Sequence, residues 1–265
     1  MEIAIVIPAR FGSTRFPGKP LSIIAGETMI ERVVKIAKVA SQGKTNVKIL
    51  VATDNQQIYE VVKSLNVDVV MTSEASTGSD RVLQALDNMN YTVDYVINFQ
   101  GDAPLTPPEI LSKMVQTFEQ GEGIEVLTPV VKLAWEELDD LRKSKKNSGS
   151  SGTTVIKDQN DYAIWFSKNI IPEIRKEDRS EKYSPVLRHI GIYGFRIEML
   201  KKFVAWPRSY YEKLEELEQL RIIENDGKIK LLDVTMIGYP LMSGIDVKED
   251  IARAERIIKE FGELI

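Results

Sequence analysis

The sequence predicts an α/β fold with a mostly parallel central sheet and helices on both faces. Three patterns carry that reading. Short β-branched apolar runs recur, the segments between them place apolar residues at helical spacing, and the two alternate regularly over roughly the first hundred residues.

Ile3 to Ile7 is a β-branched run and reads as a buried strand. After a loop rich in glycine and proline, Met29, Ile30, Val33, Val34, Ile36, Ala37 and Ala40 predict a helix over 29–40. Val47 to Ala52 reads as a second strand, and Thr53-Asp54 as the start signal of a helix carrying Ile58, Val61 and Val62. Val67 to Met71 is a third strand. Ser79 to Asn90 is a helix with Val82, Leu83, Ala85 and Leu86 turned inward. Tyr95 to Phe99 is a fourth strand, ending at Gln100-Gly101-Asp102. In the second half, Val126 to Val131 and Arg188 to Phe195 read as strands, and Trp135 to Lys143, Tyr210 to Glu224 and Val247 to Phe261 as helices. Along the last helix Ile251, Ala254, Ile257, Ile258 and Phe261 share one face. Residues 145–152 are polar, glycine- and serine-rich, and read as a mobile surface loop. The expectation is a single domain over 1–265, because the halves on either side of that loop need each other's strands.

Composition narrows the chemistry. The chain has 265 residues, 43% apolar and 28% charged, as in an ordinary globular protein. It has no cysteine, which excludes disulfides, thiolate metal sites and a cysteine nucleophile. One histidine, His189, disfavours a histidine-rich zinc centre or a Ser-His-Asp triad. A formal net charge of −4 gives no global footprint for a nucleic acid polymer. The opening apolar run is too short for a signal or membrane segment, and no stretch of about 18 apolar residues follows. A cytoplasmic protein without a membrane partner is expected, in which the sequon Asn90-Tyr91-Thr92 has no role.

Parallel sheets bind ligands beyond the carboxyl ends of their strands. The loop after the first strand therefore draws attention, since no acidic residue lies between Glu2 and Glu27 while Arg10, Arg15 and Lys19 do. Its glycines allow close backbone approach and its cations offset phosphate repulsion, which suits a polyphosphate. It is not a P-loop: five residues, not four, separate Gly12 from Gly18, and Lys19 precedes Pro20. The bland alternative is a solvated basic loop whose glycines serve turn geometry. At the exit of the fourth strand Asp102 is placed as a magnesium ligand, an ion that pairs one or two carboxylates with phosphate oxygens. Asp246 is the second candidate, with an equal claim to be the cap of the last helix.

The run Ile7-Pro8-Ala9-Arg10-Phe11-Gly12-Ser13-Thr14-Arg15-Phe16-Pro17-Gly18-Lys19-Pro20-Leu21 closely resembles the signature of the 3-deoxy-manno-octulosonate (Kdo) cytidylyltransferases. Further stretches follow in that family's order: Val51-Ala52-Thr53-Asp54, Gln100-Gly101-Asp102, Phe166-Ser167, Arg188 to Phe195, Leu217 to Arg221 and Ile245-Asp246. The resemblance spans nearly the whole chain. It implies a Rossmann-like nucleotidyltransferase fold with an antiparallel extension in the second half. It also implies a homodimer and a magnesium-dependent transfer of CMP from CTP to the anomeric hydroxyl of Kdo, with release of pyrophosphate.

By the same resemblance Lys19, Arg10 and Asp102 are catalytic. Pro8, Ala9, Arg10, Gly12, Ser13, Thr14, Arg15, Lys19 and Gln100 bind the nucleotide, and Asp102 with Asp246 holds Mg2+. Arg81, Gln100, Lys168, His189, Tyr193, Glu218 and Gln219 fall where the family contacts its sugar acid. On residue chemistry alone, His189 also fits a satisfied histidine of a half-buried strand, and Glu218-Gln219 a solvated acidic helix face. The chain departs from the family at three places. Thr77-Gly78-Ser79-Asp80-Arg81 swaps hydroxyls, Lys168 stands where an arginine is common, and the stretch before Val155 lacks the usual Asn- or Asp-Pro segment. The last is the largest departure, and it keeps the 8-amino analogue of Kdo or another 3-deoxy-ulosonic acid open as substrate. The alternatives are a cytidylyltransferase for a sialic- or legionaminic-type acid and an inactive nucleotide-binding relative.

Overall fold

The computed structural model describes residues 1–265 apart from 13–15, 122, 149–151, 241, 243 and the side chains of 147 and 148. In chain order the elements begin with β1 (Ile3–Ala9), the two-residue strands β2 (Ile23–Ile24) and β3 (Glu27–Thr28), α1 (Met29–Ala40), β4 (Val47–Thr53) and α2 (Gln56–Ser64). Next come β5 (Asp68–Met71), α3 (Gly78–Asn88), β6 (Tyr95–Asn98) and α4 (Pro108–Gln120). The second half holds β7 (Val126–Ala134), α5 (Trp135–Ser148), β8 (Thr154–Lys157), β9 (Ala163–Ser167), β10 (Tyr183–His189), β11 (Tyr193–Arg196) and α6 (Ile197–Ala205). It closes with α7 (Tyr210–Glu215), α8 (Leu220–Glu224), β12 (Ile229–Asp233) and α9 (Lys248–Phe261).

Contacts divide the chain into two compact units: one of residues 1–122, 192–201 and 237–265, the other of 123–191 and 202–236. In the first, the strands lie in the order β5-β4-β1-β6-β11. β1 runs parallel to β4 and β6, β4 runs parallel to β5, and only β11 joins antiparallel, on β6. Ile3 through Ile7 are fully buried. Alternate side chains of a strand face opposite sides of the sheet, so this run requires cover on both faces, which the flanking helices supply. Gly194 in β11 is needed for packing, since a Cβ there would stand 2.5 Å from the Phe118 ring.

Local signals explain the helix starts. Thr28 and Glu31 form a capping box on α1, and Thr77 and Asp80 another on α3. Asn55, not Thr53-Asp54, caps α2, its side chain accepting from the N–H groups of Gln57 and Ile58. That releases the Asp54 carboxylate for other contacts. The sequence reading has no helix over 108–120. Pro107-Pro108 looks like a break, but a proline in the first turn lacks only an N–H that the helix leaves unused there.

In the second unit β7 lies between β12, parallel to it, and β10, antiparallel; β8 and β9 extend the sheet beyond β10. This is the predicted antiparallel extension. Three expectations need correction here. The single strand over 188–195 is two strands, β10 and β11, separated by 190–192 with Gly191 among them. The long helix over 210–224 is α7 and α8, because Glu216 turns to a left-handed φ of 52° and ends the first. The loop foreseen over 145–152 is helical as far as Ser148, with Leu138 and Leu141 packed on the cluster of Leu133, Trp135 and Val186; residues 149–151 lie outside the described residues. On α9 the buried face is Ala254 and Ile258, Ile251 and Ile257 are half-buried, and Phe261 is exposed.

α7 and α8 are tied by a buried ion pair. Arg221 donates to both oxygens of Glu212 at 2.8 and 2.6 Å, donates to the Phe203 carbonyl at 3.1 Å, and stacks over the Phe203 ring. Burial pushes the Glu212 carboxyl up, but the hydrogen bonds from Arg221 and the Ser209 N–H, with the charges of Arg221 and Arg208, outweigh it and leave it below the usual range. Arg221→Met, which removes the buried bidentate partner and leaves that carboxylate only Arg208 and the Ser209 N–H, is expected to cost about 3 kcal/mol in urea unfolding. The double variant with Glu212→Leu should recover most of the loss.

Candidate active site

A cavity of about 260 Å³ opens at the carboxyl ends of β1 and β6 in the first unit. Pro8 and Ala9 close β1 in register with Ala52 and Thr53, and Arg10 leaves the strand exposed. The loop that follows is closed on itself. The Gly18 N–H donates to the Phe11 carbonyl at 3.0 Å, and Gly18 adopts φ 70°, a conformation that favours glycine. Lys19 opens the short helical turn Lys19–Leu21 directly afterwards.

Lys19 gathers the site. Its Nζ donates to Asp102 Oδ2 at 2.7 Å and to the Ile245 carbonyl at 2.7 Å, and lies 4.0 Å from Asp246 Oδ1. Three segments far apart in sequence therefore meet at one ammonium. Beneath them lies an apolar cluster that includes Phe16, Leu105 and Ile245, so each charged residue is anchored by a buried neighbour on its own segment. Asp246 is not the cap of α9: the Asp250 carboxylate accepts from the N–H groups of Asp246 and Val247 and serves that end.

Two glycines make the approach possible. A Cβ on Gly101 would sit 2.6 Å from the Pro8 carbonyl oxygen, so the exits of β6 and β1 pass each other only with glycine there. A Cβ on Gly244 would stand 2.9 Å from Asp102 Oδ1. Gly244 is a site residue that the sequence reading passed over; its only signal is its place before Ile245-Asp246. Gln100 lines the cavity and donates from Nε2 to Asn98 Oδ1 at 3.1 Å. Arg81, on α3, also lines it, and its guanidinium donates to Asp54 Oδ2 at 2.8 Å and to Thr72 Oγ1.

Among the expected nucleotide residues, Pro8, Ala9, Arg10, Lys19 and Gln100 line this one cavity, with Asp102, Asp246 and Arg81. Gly12 is exposed and does not line it. Ser13, Thr14 and Arg15 lie outside the described residues. Tyr193 belongs to the first unit but stands buried in β11, opposite Asn98.

The remaining expected sugar residues belong to the second unit. His189 ends β10, its Nε2 2.9 Å from Thr128 Oγ1 and its ring edge-on to Phe166. Burial, then the charge of Lys168, pushes its pKa down to about 3, so the ring is neutral at neutral pH. The backbone N–H of Lys168 and the hydroxyl of Ser167 donate to the two oxygens of Glu215. Lys145 donates to the carbonyls of Gly152 and Lys168; burial, then Lys168 and Arg188, lowers its pKa against the pull of Glu215. Glu218 is half-buried, and Gln219 is 2% exposed, its Nε2 lacking a hydrogen-bond partner among the described residues. These two lie in the turn between α7 and α8, not on the face of one long helix.

Two measurements test this geometry. Gly101→Ala is expected to destabilise by about 1–3 kcal/mol, as overpacking against fixed backbone does, while Gly12→Ala, whose Cβ meets nothing within 4 Å, serves as a neutral control. Because the folded pKa of His189 is depressed, its share of stability is present above the unfolded value of about 6.5 and is lost as pH falls towards about 3. His189→Gln should therefore lose less stability than the parent on acidification through that window, read by urea unfolding at successive pH values.

A profile of the cytidylyltransferase family matches residues 4–229. The 3-deoxy-manno-octulosonate cytidylyltransferase of Maricaulis maris is 41% identical over the full length of both chains. Those of Fusobacterium nucleatum (36%, 98% of each chain) and Zea mays (34%, 96% of this chain and 80% of that one) are similar as well. The structure of a CMP:2-keto-3-deoxy-manno-octonic acid synthetase complexed with CTP superposes with a TM-score of 0.83 at 27% identity, covering 98% of this chain and all of that one. The chain belongs to the 3-deoxy-manno-octulosonate cytidylyltransferase family.

Proposed function

We propose that this member of the 3-deoxy-manno-octulosonate cytidylyltransferases transfers CMP from CTP to the anomeric hydroxyl of Kdo or its 8-amino analogue and releases pyrophosphate. The observation that carries the reading is the convergence of Asp102 and Asp246 on Lys19 at the mouth of the cavity. An ammonium has three N–H donors. Among the described residues Asp102 and Ile245 take two, which leaves one for a phosphate oxygen. Arg10, exposed at the end of β1, adds a second positive charge against phosphate repulsion.

The donor set fits magnesium. Both carboxylates already share one cation, and magnesium takes one or two carboxylates with phosphate oxygens and water. Among the described residues no three or more His, Cys, Asp or Glu side chains are arranged to hold a metal ion by themselves, so an ion held by Asp102 and Asp246 would depend on the substrate for its remaining ligands. When bound, it would neutralise phosphate charge and lower the pKa of the sugar hydroxyl. The protein's part is to hold the triphosphate at Lys19 and Arg10 and to fix the line of attack on the α-phosphorus. No separate histidine base is called for, which accords with a neutral His189 held to Thr128. The assignment of Arg81, Lys168, His189, Tyr193, Glu218 and Gln219 to the sugar acid rests on the family likeness.

No helix among the described residues is long and apolar enough to cross a membrane. A cytoplasmic homodimer supplying an activated sugar for lipopolysaccharide or capsule synthesis completes the proposal. The test is pyrophosphate release with CTP and magnesium over Kdo, its 8-amino analogue and a sialic-type acid. Turnover confined to the sialic-type acid, or CTP binding without turnover of any acid, would refute the reading. Asp102→Asn and Asp246→Asn should each reduce turnover by about 100-fold or more while the unfolding midpoint stays near the parent's. Chelation should abolish activity, and added magnesium should restore it.

A further inference from the structure

Asp54 lies one residue beyond β4, beside the exit of β1, where Ala9 is in register with Thr53. The family reading assigns it no role, and α2 does not use it as a cap. Its two oxygens are divided between the loop after β1 and α3. Oδ1 accepts the backbone N–H of Phe11, the residue where the phosphate loop starts, at 3.0 Å. Oδ2 accepts Nη2 of Arg81, which lines the cavity from α3, at 2.8 Å.

Arg81 depends on this carboxylate. Its side chain is 5% exposed against 29% for Asp54, so the guanidinium is the desolvated member and needs a compensating charge. Asp54 is its ion-pair partner across the strand ends. Its other contacts among the described residues are neutral: Thr72 Oγ1 and, at 3.5 Å, the Ser73 carbonyl. Thr72 is fixed in turn, its N–H and hydroxyl both donating to the Thr53 carbonyl at 2.8 and 3.1 Å. The ends of β1, β4 and β5 are thus joined through Asp54 and Thr72 to one cation.

We propose that Asp54 is a positioning residue that holds the start of the triphosphate loop with one oxygen and the Arg81 guanidinium with the other, so that one carboxylate sets the register between the nucleotide and the acidic sugar. This rests on the function proposed above for the identity of the second substrate, but not for the first. Asparagine separates the two duties: its amide oxygen still accepts from Phe11, while its NH2 group faces the guanidinium donor to donor. Alanine removes both.

The experiment compares the parent, Asp54→Asn and Asp54→Ala by calorimetric CTP binding without sugar, by KM for Kdo and its 8-amino analogue, and by unfolding midpoint. Asp54→Asn should raise the KM for the sugar acid about tenfold, the worth of one charge-assisted hydrogen bond, and leave CTP affinity within about threefold. Asp54→Ala should weaken both. A parental sugar KM in Asp54→Asn, parental CTP affinity in Asp54→Ala, or a lowered unfolding midpoint with both constants unchanged would overturn the proposal. If the parent itself turns over no Kdo-type acid, the proposed reaction fails, and the CTP arm alone judges Asp54: equal CTP binding in all three proteins refutes it. Should the alanine variant not fold, the asparagine variant, equal in size and keeping one acceptor, decides.

Discussion

The cavity depends on one ammonium. Asp102 and Asp246 are two like charges at one opening, and Lys19 stands between them and takes the Ile245 carbonyl as well. Two carboxylates drawn together without a cation would repel each other. With the lysine in place, the cluster keeps one net negative charge, which a divalent ion arriving with the triphosphate would offset. The apolar cluster of Phe16, Leu105 and Ile245 makes this tolerable, since it fixes each charged segment through a buried neighbour.

Much of the remaining polar chemistry serves the scaffold. Asp80 and Thr77 satisfy the first turn of α3, and of that motif Thr77, Gly78 and Arg81 line the cavity. Asp250 serves the start of α9 and so spares Asp246. Glycine has a corresponding duty where backbones pass: at Gly101 a neighbouring carbonyl occupies the space of a side chain, and at Gly244 the Asp102 carboxylate does.

The regular first half was the most legible. The helix read over 29–40 is α1 to the residue, and the four early strands appear with boundary shifts of one or two positions. Legibility failed where local pattern and backbone dihedral part company. Arg188 to Phe195 is apolar and β-branched enough for one strand, yet it supplies two. Leu214, Leu217 and Leu220 keep helical spacing across a left-handed Glu216 that ends the helix between them. Periodicity reports which side chains want burial and is blind to a single residue that reverses the chain. The site residues were legible as segments after strands, but Asp54 was read as a helix start because its partners, Phe11 and Arg81, are remote in sequence.

What the sequence by itself determined is the class of fold, the basic loop after the first strand, and the carboxylates beyond the later ones. Those depend on local spacing and on the preference of residue types for strands, helices and strand exits. Only the tertiary structure decided that Asp246 faces Lys19 while Asp250 caps the helix, that Gln219 is buried in a turn, and that Asp54 divides its oxygens between Phe11 and Arg81. Such choices turn on which distant segment lies within about 3 Å of a given oxygen, a distance that the packing of sheet and helices sets and that no spacing along the chain encodes.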